Sequence, residues 1–230
     1  MPDTHTDKAF EQDLRNLREK LLTMSAKVEA QIATAMKALI DRDSELAQKV
    51  VEKMDAEVNR LEVEIDSLCR KILALRQPAA SDLRLITTAL KIVTDLERCG
   101  DMAVNIAERA LELNQAPPMA RLQDLTKLGE LAQAQVKLAL DSFVAADAAK
   151  AEEVLKGDEN LDNLFLNIFN ELLGFMMEDS KYIRRATSLM FVAKHLERIG
   201  DHATNIAEMV IYMVRGTDVR HPRSRGLQPS

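Results

Sequence analysis

Two stretches of the chain are nearly the same and lie one hundred residues apart, DLERCGDMAVNIAE at residues 95–108 and HLERIGDHATNIAE at residues 195–208. Ten of the fourteen positions carry the same residue. Self-similarity at a fixed spacing is the sequence signature of a repeated structural unit. We therefore expect a fold built from two tandem copies of one unit.

Each copy is predicted to contain three long helices. The 230 residues are 47% hydrophobic and 30% charged, with 3% aromatics, 7 Gly, 6 Pro and no Trp. Ala, Leu, Glu, Lys and Met, which favour helices, dominate this composition, whereas strands favour the aromatics that are scarce here. Breaks at Pro, Gly and capping residues give helices over about 10–40, 44–76, 81–114, 120–144, 148–177 and 181–214.

The ends of these helices carry capping signals. Asp43 or Ser44 is predicted to cap the second helix and Ser81 or Asp82 the third, because a side-chain oxygen there accepts an orphan backbone N–H. The fifth helix is expected to begin after Asp147 and the sixth to stop at Gly216.

The predicted fold class is all-α, with two tandem three-helix bundles. Long helices joined by short connections pack as antiparallel neighbours. The first bundle is predicted at 10–114 and the second at 120–215, with an N-terminal tail at 1–9 and a flexible polar tail at 216–230.

The repeated segment places an acidic stripe on a helix. At 100° per residue, Glu97, Asp101, Asn105 and Glu108 fall within an arc of 80°, in nearly the same direction as the apolar residues of that helix. The sixth helix repeats the stripe with the following residues: Glu197, Asp201, Asn205 and Glu208. His195 and His202 lie on the opposite side. The acids thus interrupt the apolar stripe that should face the neighbouring helices.

The helix before each stripe supplies a second acidic row. In the first copy the row is Asp55, Asn59, Glu62 and Asp66, at i, i+4, i+7 and i+11. In the second copy the row is Asp158 and Asp162, and the next positions on the same side of the helix are Phe165 and Phe169. In an antiparallel pair of helices the two rows can face each other.

Two interpretations of the converging acids stand about equal on geometry alone. Desolvation penalises each carboxylate, so either their pKa values rise or cations neutralise them. Oxygen-only ligands with no nearby Cys favour a hard ion such as Mg²⁺, Ca²⁺, Mn²⁺ or iron. Alternatively, Arg98 and Arg198 pair with the acids and form a structural polar seam. The metal candidates are Asp55, Asn59, Glu97, Asp101, Asn105, Asp158, Asp162, Glu197, Asp201 and Asn205, with Glu62, Glu108 and Glu208 less certain.

The remaining composition excludes several classes of protein. The formal net charge is −6 and no basic patch is visible outside a short Arg-containing tail, so nucleic-acid binding is not expected. Cys69 and Cys99 fit no metal or redox spacing. Met24, Met176 and Met177 are interpreted as core filler. Without a signal peptide or an apolar run near 18 residues, the chain is expected to be cytosolic, with only peripheral membrane association through a partner.

At these motifs the chain resembles the PhoU family, over residues of about 10 to 220. The most specific segments are RQPAASDLR at 76–84, the paired fourteen-residue segments, and VIYMVRGTD at 210–218. The resemblance implies two three-helix bundles whose Glu/Asp-x-x-x-Asp motifs bind multinuclear metal clusters, with iron first and Mn, Zn or Mg as other choices. The motifs map onto Glu97 and Asp101 with Asp55, and onto Glu197 and Asp201 with Asp158 and Asp162. Asn59 departs from the pattern, since the second copy has an acid there.

The resemblance also implies a regulatory protein with no established catalytic activity. Such proteins restrain phosphate uptake through the Pst transporter, via its ATPase subunit PstB. They also help to hold the sensor kinase PhoR silent when phosphate is ample, so that the response regulator PhoB stays off. Broad amphipathic helices further suggest a homodimer.

Two other classes of function stay open at this point. One is a di-metal carboxylate enzyme in a helical bundle, although such sites normally use Glu-x-x-His pairs that the acidic face does not offer. The other is a purely structural or oligomerising helical protein. The sequence has no Walker loop and no glycine-rich phosphate cradle, so an enzyme is not expected.

Overall fold

A computed structural model describes residues 8–119, 123–216 and 219, and every regular element in these residues is helical. The α-helices are α1 (Lys8–Ile40), α2 (Ser44–Lys49), α3 (Asp55–Leu75), α4 (Ala80–Asn114), α5 (Gln123–Ala145), α6 (Ala148–Glu178) and α7 (Ile183–Arg215). A π-helical turn, Val50–Met54, joins α2 to α3 in one continuous rod, and a 3₁₀ turn, Ser180–Tyr182, precedes α7. Six long rods result, and the all-α prediction is confirmed. Residues 1–7, 120–122 and most of the predicted C-terminal tail lie outside the described residues.

The rods form two three-helix bundles that pack side by side. Helices α1, α3 and α4 contact one another, as do α5, α6 and α7. The bundles meet where α4 packs on α7 and α1 packs on α5. Within the described chain, α3 contacts no helix of the second bundle and α6 none of the first. A single continuous core of buried apolar residues runs through both bundles.

The glycine of the repeated segment allows the two helices that carry acids to approach closely. A Cβ at Gly100 on α4 would lie 3.3 Å from Val58 Cγ1 on α3, and one at Gly200 on α7 would lie 2.9 Å from Leu161 Cδ1 on α6. Real Cβ contacts are rarely this short. The repeated glycines therefore bring α3 against α4, and α6 against α7, at the level of the acidic rows.

The first connection of each repeat is built in the same way. Arg42 and Ala146 have φ values of 57° and 49°, in the left-handed region. Each is followed by an aspartate whose Oδ1 accepts the first free N–H groups of the next helix: Asp43 from Glu45 and Leu46, and Asp147 from Ala149 and Lys150. Gly216, at φ 71°, ends α7 as predicted. Duplication is thus visible in the loops as well as in the helices.

Two sequence predictions are wrong at this level. Neither Ser81 nor Asp82 caps α4, because extended Ala79 (φ −63°, ψ 165°) occupies the cap position and α4 begins earlier, at Ala80. Met24 is fully buried and Met176 packs against the core, but Met177 is 82% exposed. The apolar stripe of α6 is wider than the surface that α5 and α7 cover.

In the part of the chain that the structure describes, no helix is both long enough and apolar enough to span a bilayer.

Removal of the two aspartate caps tests the duplicated connection. Asp43→Ala and Asp147→Ala should each lower the free energy of unfolding by about 1 kcal/mol, because each leaves backbone donors unsatisfied. The two sites lie in different bundles, so the double variant should lose about 2 kcal/mol. Urea unfolding monitored by circular dichroism measures the loss. Ser81→Ala is the matched control, and a comparable loss there would contradict the assigned start of α4.

Candidate metal centres

The first acidic group lies between α3 and α4. Burial raises the pKa of Glu97, and the negative charges of Asp101, Glu62 and Asp55 raise it further. Asp55 and Glu62 belong to α3, so the two predicted rows do face each other across this helix pair. Burial and repulsion together make the ionised form of Glu97 costly.

The second acidic group lies between α6 and α7. Burial raises the pKa of Asp158, and repulsion from Asp162 and Glu197 adds to it. On the opposite helix, burial raises the pKa of Asp201, again reinforced by Glu197, Asp158 and Asp162. Four carboxylates from two helices therefore interact, in the arrangement that the repeated sequence predicts.

Basic side chains partly neutralise both groups. Arg98 Nε lies 3.4 Å from Glu97 Oε2, and Arg98 Nη1 lies 3.1 Å from Asp101 Oδ2. In the second group, Lys194 Nζ lies 2.6 Å and 2.5 Å from the two carboxylate oxygens of Glu197. Lys194 thus takes the place that the sequence suggested for Arg198, which is exposed. The same Nζ lies 5.5 Å from the centroid of the Phe165 ring, which holds it over α6.

With these side-chain positions, no three His, Cys, Asp or Glu residues of the described chain are arranged so that they could hold one metal ion. One feature nevertheless fits a cation. Asn59 Nδ2 donates to Asp55 Oδ2 at 2.8 Å, which leaves Asn59 Oδ1 buried with no hydrogen-bond partner. Buried polar atoms are normally satisfied, and this oxygen lies beside the first acidic group.

The remaining candidates lie further along the stripes. Asn105 is half-buried and Glu108 is exposed on α4, while Glu208 is half-buried on α7. Asn205 is exposed, and its Nδ2 donates to Asp95 Oδ1 on α4 at 3.4 Å, so its amide points to the other bundle. The two groups best supported by electrostatic contact are Asp55, Glu62, Glu97 and Asp101, and Asp158, Asp162, Glu197 and Asp201.

Sequence reasoning missed a polar contact between the two bundles. His202 Nδ1 lies 2.9 Å from Asp95 Oδ1, and both side chains are 16% exposed. His195 Nδ1 lies 3.2 Å from Met102 Sδ. Asp95 and His195 are the first residues of the two repeated segments, and Met102 and His202 are the eighth, so each contact joins position one of one repeat to position eight of the other. The signal was available, because these are two of the four positions at which the segments differ.

The donor set limits the chemistry of the acidic groups. Carboxylate and amide oxygens suit hard cations. Both histidines of the α7 segment face α4 instead. Burial raises the pKa of Cys69 to about 12 and raises that of Cys99 as well, so both cysteines stay as thiols. In this structure the carboxylates of both groups pair with basic side chains, and their oxygens are donors of the kind that hard cations prefer.

Comparison with known proteins identifies the family. A family model described as the PhoU domain matches the chain twice, over residues 21–110 and 125–210. The chain belongs to the PhoU family. Its two matched PhoU domains correspond to the two bundles, which the duplicated segment predicted.

Relatives of this PhoU-family chain align over nearly its whole length. A phosphate-specific transport system accessory protein PhoU homolog of Pseudomonas aeruginosa is 46% identical over 218 residues, covering 94% of this chain and 90% of that protein. A homolog of the same description from Caulobacter vibrioides is 42% identical over 222 residues, covering 96% of each.

Solved PhoU structures share the fold. The crystal structure of PhoU from Pseudomonas aeruginosa superposes with a TM-score of 0.87 at 45% identity, covering 90% of this chain and 100% of that one. The phosphate transport system regulatory protein PhoU from Streptococcus pneumoniae gives a TM-score of 0.84 at 29% identity, covering 92% and 100%.

Neutralisation of one acid tests the repulsion within the second group. Asp201→Asn in the presence of chelator should raise the Tm at pH 7 by roughly 1 °C, because the variant removes a negative charge that lies among like charges. The gain is small because Asp201 is also in contact with solvent. Since the folded-state pKa of Asp201 lies above its ordinary value of 3.8, the folded wild type takes up this proton more readily than the unfolded chain. The advantage of the variant should therefore shrink as the pH falls towards 3.8.

Thermal melts from pH 4 to pH 7 measure this difference. Asp141→Asn, on the exposed surface of α5, makes the same change in net charge and is expected to leave the Tm unchanged. A lower Tm for Asp201→Asn at pH 7 would show that the acid stabilises the fold as part of a polar seam.

Proposed function

We propose that this chain is a cytoplasmic protein that regulates phosphate uptake. It restrains a Pst-type transporter and helps to keep the phosphate regulon off when phosphate is ample. The observation that carries this proposal is the full-length likeness to phosphate-specific transport accessory proteins, at 46% identity over 94% of the chain. Likeness over both bundles, and not over one isolated domain, supports a shared role.

Protein contacts are the proposed mode of action. The partners are the PstB-like ATPase subunit of the transporter and a PhoR-like sensor kinase, and the chain acts as a homodimer. Long helices with charged exposed faces offer broad docking surfaces. Both cysteines are buried, and His195 and His202 contact Met102 and Asp95, so these four side chains are not free to act on a substrate. The proposed role is regulation and not catalysis.

Metal ions are proposed to bind at the two acidic groups. Glu97 and Asp101 with Asp55 and Asn59 would hold the first, and Glu197 and Asp201 with Asp158 and Asp162 the second. Iron is the first choice, with Mn, Zn or Mg as alternatives. Three features support the proposal: oxygen donors from two helices, raised pKa values of Glu97, Asp158 and Asp201, and the unpartnered Asn59 Oδ1. Binding requires Arg98 and Lys194 to swing away from Glu97 and Glu197.

The polar seam is the competing account of the same residues. Its support is the set of ion pairs that Arg98 and Lys194 already make. In this account the acids stabilise the contact between α3 and α4, and between α6 and α7, without any metal.

Elemental analysis separates these two accounts. Protein purified without chelator should carry several iron, manganese or zinc atoms per chain. The Asp101→Ala/Asp201→Ala variant should lose them while circular dichroism shows an unchanged helical fold. A matched variant, Asp41→Ala/Asp141→Ala, removes two exposed acids outside the groups and should keep the metal. Wild-type protein that stays metal-free after reloading with these ions would favour the polar seam.

Phosphate control is tested in cells. Deletion of the gene should raise phosphate uptake in phosphate-rich medium and switch on a reporter under a phosphate-starvation promoter. Expression of the chain should reverse both effects. A deletion strain with normal uptake and a silent reporter would contradict the proposed function, whatever the metal content of the purified protein.

A further inference from the structure

The exposed face of α6 carries an apolar stripe. Leu166, Phe169, Leu173 and Met177 are 53%, 39%, 42% and 82% exposed. Their spacing of three, four and four residues places them along one line of the helix. Soluble proteins rarely expose contiguous apolar surface without a use for it.

The residues along one side of this stripe are uncharged. Asn163, Asn167, Asn170 and Gly174 flank it, and the only charged residue between 163 and 177 is Glu171. Glu171 lies 140° around the helix from Leu166 at 100° per residue. Charged residues are depleted at the centres of protein interfaces, and this face has that composition.

The first repeat provides an internal comparison. When Asp158 and Asp162 are aligned with Asp55 and Asn59, the positions of Phe169, Leu173 and Gly174 correspond to Asp66, Arg70 and Lys71 on α3. Arg70 Nη2 lies 2.6 Å from Asp66 Oδ2, so the α3 face carries an ordinary surface ion pair. Leu166 corresponds to Val63, which is 63% exposed, so the two helices differ at the other three positions. The three-helix bundle therefore does not require Phe, Leu and Gly at these three positions.

Gly174 adds an independent observation. Glycine inside a helix lowers its stability relative to alanine. A Cβ at this position would meet no atom within 4 Å. Packing within the chain therefore gives no reason for the glycine. Because glycine has no side chain, another backbone can approach α6 closely beside the stripe.

The charge around the stripe indicates what binds there. Residues 157–180 contain six acidic residues and no Lys or Arg. One of the six, Asp179, pairs with Lys181 at 2.7 Å, which leaves five. A second copy of this helix, packed antiparallel about Asn170, would place Asp162 opposite Glu178 and so bring like charges together. The segment after residue 219 has Leu227 as its only large apolar residue, so it lacks the i, i+3, i+4 and i+7 apolar spacing that would match the stripe.

We propose that the outer face of α6 is a docking site for a basic amphipathic helix of another protein. The apolar residues of that helix, at i, i+3, i+4 and i+7, would lie on the stripe. Its Lys and Arg would face Glu159 and Asp162, which are exposed in line with the stripe at its N-terminal end. The stripe lies on the outer face of α6 and shares only Asp162, at its N-terminal end, with the second acidic group. The docking site does not depend on the proposed role in phosphate control, because purified protein is sufficient to test it.

The experiment uses an 18-residue fluorescent peptide of Leu and Lys, patterned as an amphipathic helix, and measures binding by anisotropy at physiological ionic strength. Wild-type protein should bind this peptide at least ten-fold more tightly than a scrambled peptide of the same composition, and more tightly than the version with Glu in place of Lys. Phe169→Asp/Leu173→Arg/Gly174→Lys transfers the α3 residues to α6 and should weaken binding at least ten-fold. Ser67→Lys on α3 adds the same single positive charge and should leave binding unchanged.

Four results would overturn the proposal. The first is that wild-type protein binds the amphipathic peptide no more tightly than it binds the scrambled peptide. The second is that the triple variant binds the amphipathic peptide as tightly as wild type while its circular dichroism spectrum is unchanged. The third is a wild-type dimer, seen by sedimentation, that the triple variant dissociates, since the face would then belong to a second copy. The fourth is binding that appears only after truncation at residue 216, which would assign the face to the tail of the chain.

Discussion

The close approach of paired helices at a repeated glycine is the constraint on which the acidic groups depend. Gly100 admits α3 against α4, and Gly200 admits α6 against α7. A side chain at either position would separate the helices and let water between the acids. Gly100 and the acids Glu97 and Asp101 belong to one short segment. The same motif therefore supplies the repelling carboxylates of α4 and lets α3, which carries the remaining acids of the group, pack against them. The raised pKa values follow from this proximity together with burial.

Much of the fold could be predicted because it is encoded twice. The repeated segment identified the two bundles, and local capping chemistry at Asp43 and Asp147 identified the starts of two helices. The prediction at Ser81 and Asp82 was wrong because a capping residue is effective only where the backbone is extended, and here Ala79 occupies that position. Sequence identifies residues that are able to cap a helix, but the path of the loop decides which position is used.

The acidic sites were predictable in composition but not in partners. Helical periodicity placed the acids on one face, and the two rows do interact across each helix pair. Periodicity along one helix does not report the neighbours, so it could not decide between Arg198 and Lys194 as the cation beside Glu197. The prediction that Met177 fills the core was wrong for a related reason, since an apolar position on a helix is buried only where another helix covers it.

The contact between α4 and α7 joins position one of each repeated segment to position eight of the other. This reciprocal pattern is that of a two-fold interface, in which residue i meets residue j and j meets i. A single bundle that formed a dimer through this helix would present the same pair twice, so any substitution would change both contacts at once. Two copies within one chain are not bound by that restriction. The pairs Asp95–His202 and His195–Met102 differ accordingly, because the imidazole contacts a carboxylate in the first pair and a thioether in the second.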